Sequence, residues 1–155
     1  MWARWYERVI AAQARAAAAL LVLMVALIFL NGVARVLGHP VNWAVDAATC
    51  LFAWACFFCA DIAWRKGSLM AITLLVERLP AAAQRAVRLA NYAVISAFLA
   101  YAVVGGVWLA WVSRARSFQG IPEVSYSWVT ASMPVGCALL LVTTLLKVRA
   151  EFAPP

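Results

Sequence analysis

The chain has 155 residues, 67% of them hydrophobic and 12% charged, with a net charge of +7 and a mean hydropathy of +0.90. A soluble domain of this size has too little interior to hide that much apolar surface, so the composition specifies an integral membrane protein. The positive charge does not indicate a nucleic-acid partner. Lys and Arg cluster beside apolar stretches, where orientation signals belong, and form no stripe interleaved with exposed aromatics.

In chain order, the first predicted span covers about 9–33, preceded or entered by Arg4, Glu7, Arg8 and Arg15. Its apolar part, Ala16 to Leu30, is followed by no small-residue cleavage site, and further spans follow. It reads as an uncleaved anchor rather than a signal peptide. A short turn, Gly38-His39-Pro40, leads to a second span over about 43–64, long enough to cross a bilayer that takes roughly 20 residues. The stretch 68–79 is too short and too charged to cross. It carries Leu69, Ile72, Val76 and Leu79 at helical spacing, with Thr73, Glu77 and Arg78 elsewhere, which predicts an amphipathic helix lying in the membrane interface.

Pro80 suits the first turn of the next helix. That helix is amphipathic while it carries Arg85 and Arg88, then spans over about 89–112. A loop, Ser113 to Glu123, precedes a fourth span over about 124–146, with Pro134 and Gly136 near its middle. The expectation is one all-α membrane domain over 1–155, with four transmembrane helices and an interfacial helix between the second and third.

Orientation follows from the basic residues. Arg4, Arg8, Arg15, Arg65, Lys66, Arg78, Arg85, Arg88, Lys147 and Arg149 fall on one side, and only Arg35, Arg114 and Arg116 on the other. That asymmetry predicts both termini in the cytoplasm.

Chemistry is sparse. A substrate or ion pathway normally needs ionisable groups near the bilayer midplane, yet the central turns of all four spans carry no charge. Asp61 and Arg65 are four apart on one helix and are read as a structural ion pair. Asp46 is read either as a solvated helix-start acid favoured by the dipole or as a polar contact to a partner helix. Cys56-x-x-Cys59 matches a redox spacing but lies inside a span, without the electropositive, accessible surroundings of a reactive thiolate. Small apolar packing is the expected role of Cys50, Cys56, Cys59 and Cys137. No metal, cofactor or catalytic set is expected, since the lone His39 lies in a loop.

Packing surface is plentiful. Asp46, Thr49, Ala53 and Ala60 project to one side of the second span, and Ala102, Gly106 and Ala110 recur at four-residue spacing on the third. Small-residue stripes of this kind let helices approach closely in lipid. They serve helix packing within the chain, docking to a partner, or both.

The order Trp43-x-x-Asp46, the span with Trp54 and Phe57-Phe58, then Arg65-x-Gly67 and Leu79-Pro80 resembles the small membrane subunit of TRAP transporters, the DctQ-like family. Ile121-Pro122, Tyr126 and Met133-Pro134-Val135-Gly136 also resemble that family's fourth-helix region. The family often has a Glu pair where this chain has Val45-Asp46, and a His and an Asp where it has Leu69 and Thr73.

The resemblance implies a tripartite, ATP-independent uptake system in the bacterial inner membrane. There a periplasmic binding protein captures an organic acid and a large multi-span subunit imports it on a sodium gradient. The small subunit packs against the large one as a non-catalytic scaffold. In that setting Arg35, Arg114, Arg116 and Glu123 are candidates for docking the binding protein, while Leu69, Ile72, Val76, Leu79, Arg78 and Arg85 anchor the chain to membrane lipids. The alternative is a self-contained four-helix transporter acting as a homo-oligomer, which lacks the midplane acid it would need.

Overall fold

The computed structural model describes residues 2–67 and 80–152. The predicted interfacial helix, with Leu69, Ile72, Val76, Arg78 and Leu79, lies outside the described residues. Among the described residues, four helical segments are long and apolar enough to cross a membrane: Arg8–Val36, Asn42–Lys66, Ala83–Ala115 and Ser127–Phe152. The chain is therefore an all-α, multi-pass membrane protein. The described residues contain no strand, only one isolated bridge between Ser117 and Ser125.

Helix α1 runs Trp2–Val36 and α2 runs Asn42–Lys66. Gly38, at φ +79°, turns the chain between them, and His39 N–H closes onto the Ala34 carbonyl at 2.9 Å. Pro40 cannot continue the helix. The hairpin is fixed by Asn31, whose Oδ1 accepts from Val41 N–H at 3.1 Å. At its far end α2 stops on Gly67 in the left-handed region, behind Arg65 and Lys66, which suit the negative end of the helix dipole.

Helix α3, Ala81–Val112, is continuous. Pro80 is its N-cap, one position before the first turn, and its carbonyl accepts from Ala83 and Gln84 at 2.9 and 3.0 Å. At 1.5 Å per residue the 32 residues of α3 span about 48 Å, against roughly 30 Å of hydrocarbon, so its early turns carrying Arg85 and Arg88 emerge from the membrane. A 3-10 turn, Ser113–Ala115, ends it.

The fourth span is interrupted. A short α4, Ser127–Thr130, gives way to α5, Ser132–Phe152, with Ala131 between them. Pro134 supplies the reason, because the N–H it lacks is the one that would have bonded to the Thr130 carbonyl. Pro134 and Gly136 thus sit in the first turns of α5 rather than near the middle of the span.

Helix α5 is the hub. Its backbone lies against those of α2 and α3, whereas α1 lies against α2 alone among the described residues. The core joins Leu99, Ala102 and Cys137, with Phe57, Ile95, Val103, Met133, Leu140 and Leu141 packed against them. Two glycines, Gly136 on α5 and Gly106 on α3, set how closely the helices approach. A Cβ on Gly136 would lie 2.3 Å from Phe57 Cγ, and one on Gly106 would lie 3.0 Å from Pro134 Cδ.

Candidate functional site

Polar side chains gather at the two ends of α2. At the end shared with the termini, Asp61 has no solvent exposure. A bare carboxylate in such a place is costly, and three helices answer it. Arg65 Nε lies 2.8 Å and Gln13 Nε2 2.9 Å from Oδ2, while the Thr143 hydroxyl donates to Oδ1. Gln13 comes from α1 and Thr143 from α5, so a single acid ties three spans together.

A second layer lies beside it. Trp64 Nε1 donates to Thr144 Oγ1 at 3.0 Å, and Lys147 donates to the Trp64 carbonyl while its ammonium sits 4.3 Å from the indole centroid. The Tyr92 ring meets Trp64 edge-on at 6.2 Å, which brings in α3. Farther out, Arg88 pairs with Glu151 at 2.8 Å, Arg85 reaches the Glu151 carbonyl at 3.4 Å, and the Arg85 guanidinium lies 5.7 Å from the Phe152 ring centroid.

At the opposite end, Asp46 is neither a purely solvated helix-start acid nor a free contact for a partner helix. Its Oδ2 accepts from Gly120 N–H at 2.7 Å, which pins the loop between α3 and α4 onto the start of α2. Gly120 is required there, because a Cβ would lie 2.7 Å from Trp43 Cα. The loop folds back on itself, with Phe118 N–H to Val124 O at 3.1 Å, Tyr126 N–H to Arg116 O at 2.8 Å, and a buried Phe118 packed on Tyr126. Trp54 Nε1 adds a bond to the Trp128 carbonyl at 3.1 Å.

The other singled-out residues fall as follows. Ala102 and Gly106 are buried, Ala110 is half-buried, and Gly106 faces Pro134, so this stripe is used at least in part inside the chain. On α2 the buried small residues are Ala44, Ala48 and Ala55, a different stripe from Thr49, Ala53 and Ala60. Thr49 is exposed and bonds back to its own helix at Val45 O, while Ala53 and Ala60 are half-buried. Arg35, Arg114, Arg116 and Glu123 are all exposed, with the Arg114 guanidinium 4.4 Å from the Trp111 ring centroid.

All four cysteines are free. Cys137 is in the core, but Cys56 and Cys59 are exposed, so apolar packing inside the chain does not explain that pair. Among the described residues no cluster of His, Cys, Asp or Glu could hold a metal ion.

The family model for the DctQ component of tripartite ATP-independent periplasmic transporters matches residues 24–153. The chain belongs to the DctQ family. It is thus a component of a TRAP transporter, a membrane-transport assembly. A comparison with curated proteins finds no match.

For a DctQ chain the ties of Asp61 and Asp46 are the main polar features of the spans, and both are satisfied internally. Sequence reasoning found the Asp61–Arg65 pair through its spacing. It missed Gln13, Thr143 and Thr144, although a polar side chain within an apolar span is itself a signal. The Gly120 amide left no signal, since any residue but proline supplies one.

Proposed function

We propose that this chain is the small, non-catalytic scaffold subunit of a sodium-driven, ATP-independent organic-acid importer in the bacterial inner membrane. It packs against the large transport subunit and helps dock the periplasmic binding protein. The observation that carries this reading is membership of the DctQ family. The polar inventory supports it, since Asp61 and Asp46 are engaged in ties within the chain.

With both termini in the cytoplasm, the loop from Ser113 to Glu123 faces the periplasm. Arg35, Arg114, Arg116 and Glu123 then offer exposed charge to the binding protein. On the other side Leu69, Ile72, Val76 and Leu79, with Arg78 and Arg85, hold the chain at an anionic lipid surface. Thr49, Ala53 and Ala60 are available to a partner helix in a way that Ala102 and Gly106 are not.

The test is reconstitution of the chain alone and with the large subunit, measuring uptake and co-purification. Uptake is expected only from the assembled system. Sodium-dependent uptake by this chain alone would sink the scaffold role.

A further inference from the structure

The outward faces of α1 and α3 differ in kind. On α1 the exposed residues Val22, Val25, Phe29, Leu30 and Val33 are hydrocarbon throughout, which lipid tails cover at no cost. On α3, Val94, Phe98, Tyr101, Gly105 and Trp108 recur at alternating spacings of four and three, the stripe a second helix seats against. Four of the five are large and exposed, and Gly105 is a notch with nothing within 4 Å of where its Cβ would stand.

Tyr101 decides what covers this face. It is 78% exposed, and its hydroxyl has no hydrogen-bond partner among the described residues. It lies about 20 Å along the helix from Arg88 and about 18 Å from Ser113, and so near the bilayer midplane. From there the ring is too short to carry its hydroxyl to the headgroups, where tyrosines normally sit. Lipid tails offer a phenol no acceptor, and an unsatisfied polar group in hydrocarbon is costly. A protein helix offers carbonyl and side-chain acceptors, and Gly105 lets it approach.

We infer that the α3 stripe Val94–Phe98–Tyr101–Gly105–Trp108 is the seat of a transmembrane helix of the large subunit, with the Tyr101 hydroxyl donating to that helix. This rests on the scaffold reading and adds a second contact surface, on α3, to the one that Thr49, Ala53 and Ala60 offer on α2. A DctQ chain is one component of a tripartite transporter, and in the assembly proposed above the large subunit is the component that brings further transmembrane helices, so it is the occupant.

Adjacent glycines make the test sharp. Gly105 faces outward, while Gly106 is in contact with Pro134 of its own chain. Gly105→Leu is expected to leave the melting temperature of the isolated chain unchanged and to abolish co-purification of the large subunit. Gly106→Leu lowers the melting temperature itself. Tyr101→Phe is expected to weaken the complex about threefold, the usual worth of one such bond in a membrane.

In the co-expressed complex, a photo-activatable phenylalanine analogue at position 101 should form an adduct with the large subunit, and one at position 29 should not. If the large subunit co-purifies but position 101 reacts only with lipid or a second copy of this chain, the seat is overturned and the scaffold reading stands. A Tyr101→Phe variant that leaves the complex unchanged and raises the stability of the chain overturns it too. If no large subunit co-purifies with the unaltered chain, the scaffold reading fails and the seat with it.

Discussion

The two ends of α2 solve the same problem by different means. Each carries an aspartate that membrane burial would punish, and each aspartate is bound from a distant part of the chain. Asp61 is held by three side chains from its own helix, α1 and α5, and is sealed from solvent. Asp46 is half-buried and accepts from one backbone amide of a loop. The first arrangement fixes how three spans sit against one another. The second fixes only how a loop lies on the helix ends. An acid deep among helices thus governs the bundle, whereas an acid at the rim governs a lid of backbone.

The sharpest way to break this contrast is to remove the deep acid. Asp61→Ala leaves the Arg65 guanidinium in its buried position without the carboxylate that balanced it. Breaking one partner of a buried pair typically costs about 3–5 kcal/mol. Thermal unfolding in lipid–detergent micelles should show a loss of that order, accompanied by loosening of the Gln13 end of α1, which is tied to Asp61 at 2.9 Å. A loss below about 1 kcal/mol, the range of exposed pairs, would mean that the cluster does not hold the spans.

At the rim the expected effect is smaller and local. In Gly120→Ala the new Cβ would meet Trp43 Cα and N at 2.7 Å, and these are backbone atoms that cannot swing aside. Overpacking of this kind costs about 1–3 kcal/mol. The loop should lift, the Asp46 bond should open, and trypsin should cut faster after Arg114 and Arg116. Asp46→Ala should produce the same protease sensitivity, and combining the two should add little, because both break one contact. Additive effects would show that the loop is held by something else.

The same contrast explains what the sequence revealed and what it hid. Lipid imposes length and composition on a span, so the four apolar stretches could be read directly. Arg65 could be paired with Asp61 because four residues on a helix are neighbours. Gln13 and Thr143 lie 48 and 82 residues from Asp61, and no local pattern links them to it. Spacing likewise identified Gly106 as part of a close-packing stripe but not which way that stripe faces. One residue turns a helix by about 100°, enough to separate the buried Gly106 from the outward Gly105. The break at Ala131 was implicit in Pro134, but it needed the helix start to be placed within one turn. Tyr101 passed unnoticed because an apolar run absorbs a tyrosine without changing its hydropathy much.

The smallest expected effect sharpens the comparison from the other side. Arg88 and Glu151 also form an ion pair at the terminal end, at 2.8 Å and with near-ideal contact, yet their side chains are 44% and 27% exposed. Water and salt screen such a pair, and its two long side chains give up rotamer freedom to form it. Glu151→Gln should therefore cost about 0.5 kcal/mol or less, and that loss should vanish near 1 M salt, where the screening length falls to about 3 Å. The Asp61→Ala loss should survive the same salt, because ions do not reach a sealed carboxylate. If instead Glu151→Gln matched Asp61→Ala, or if salt erased both, then charge count at this end would matter and burial would not. The distinction between a tie that fixes helices and one that decorates their ends would then be lost.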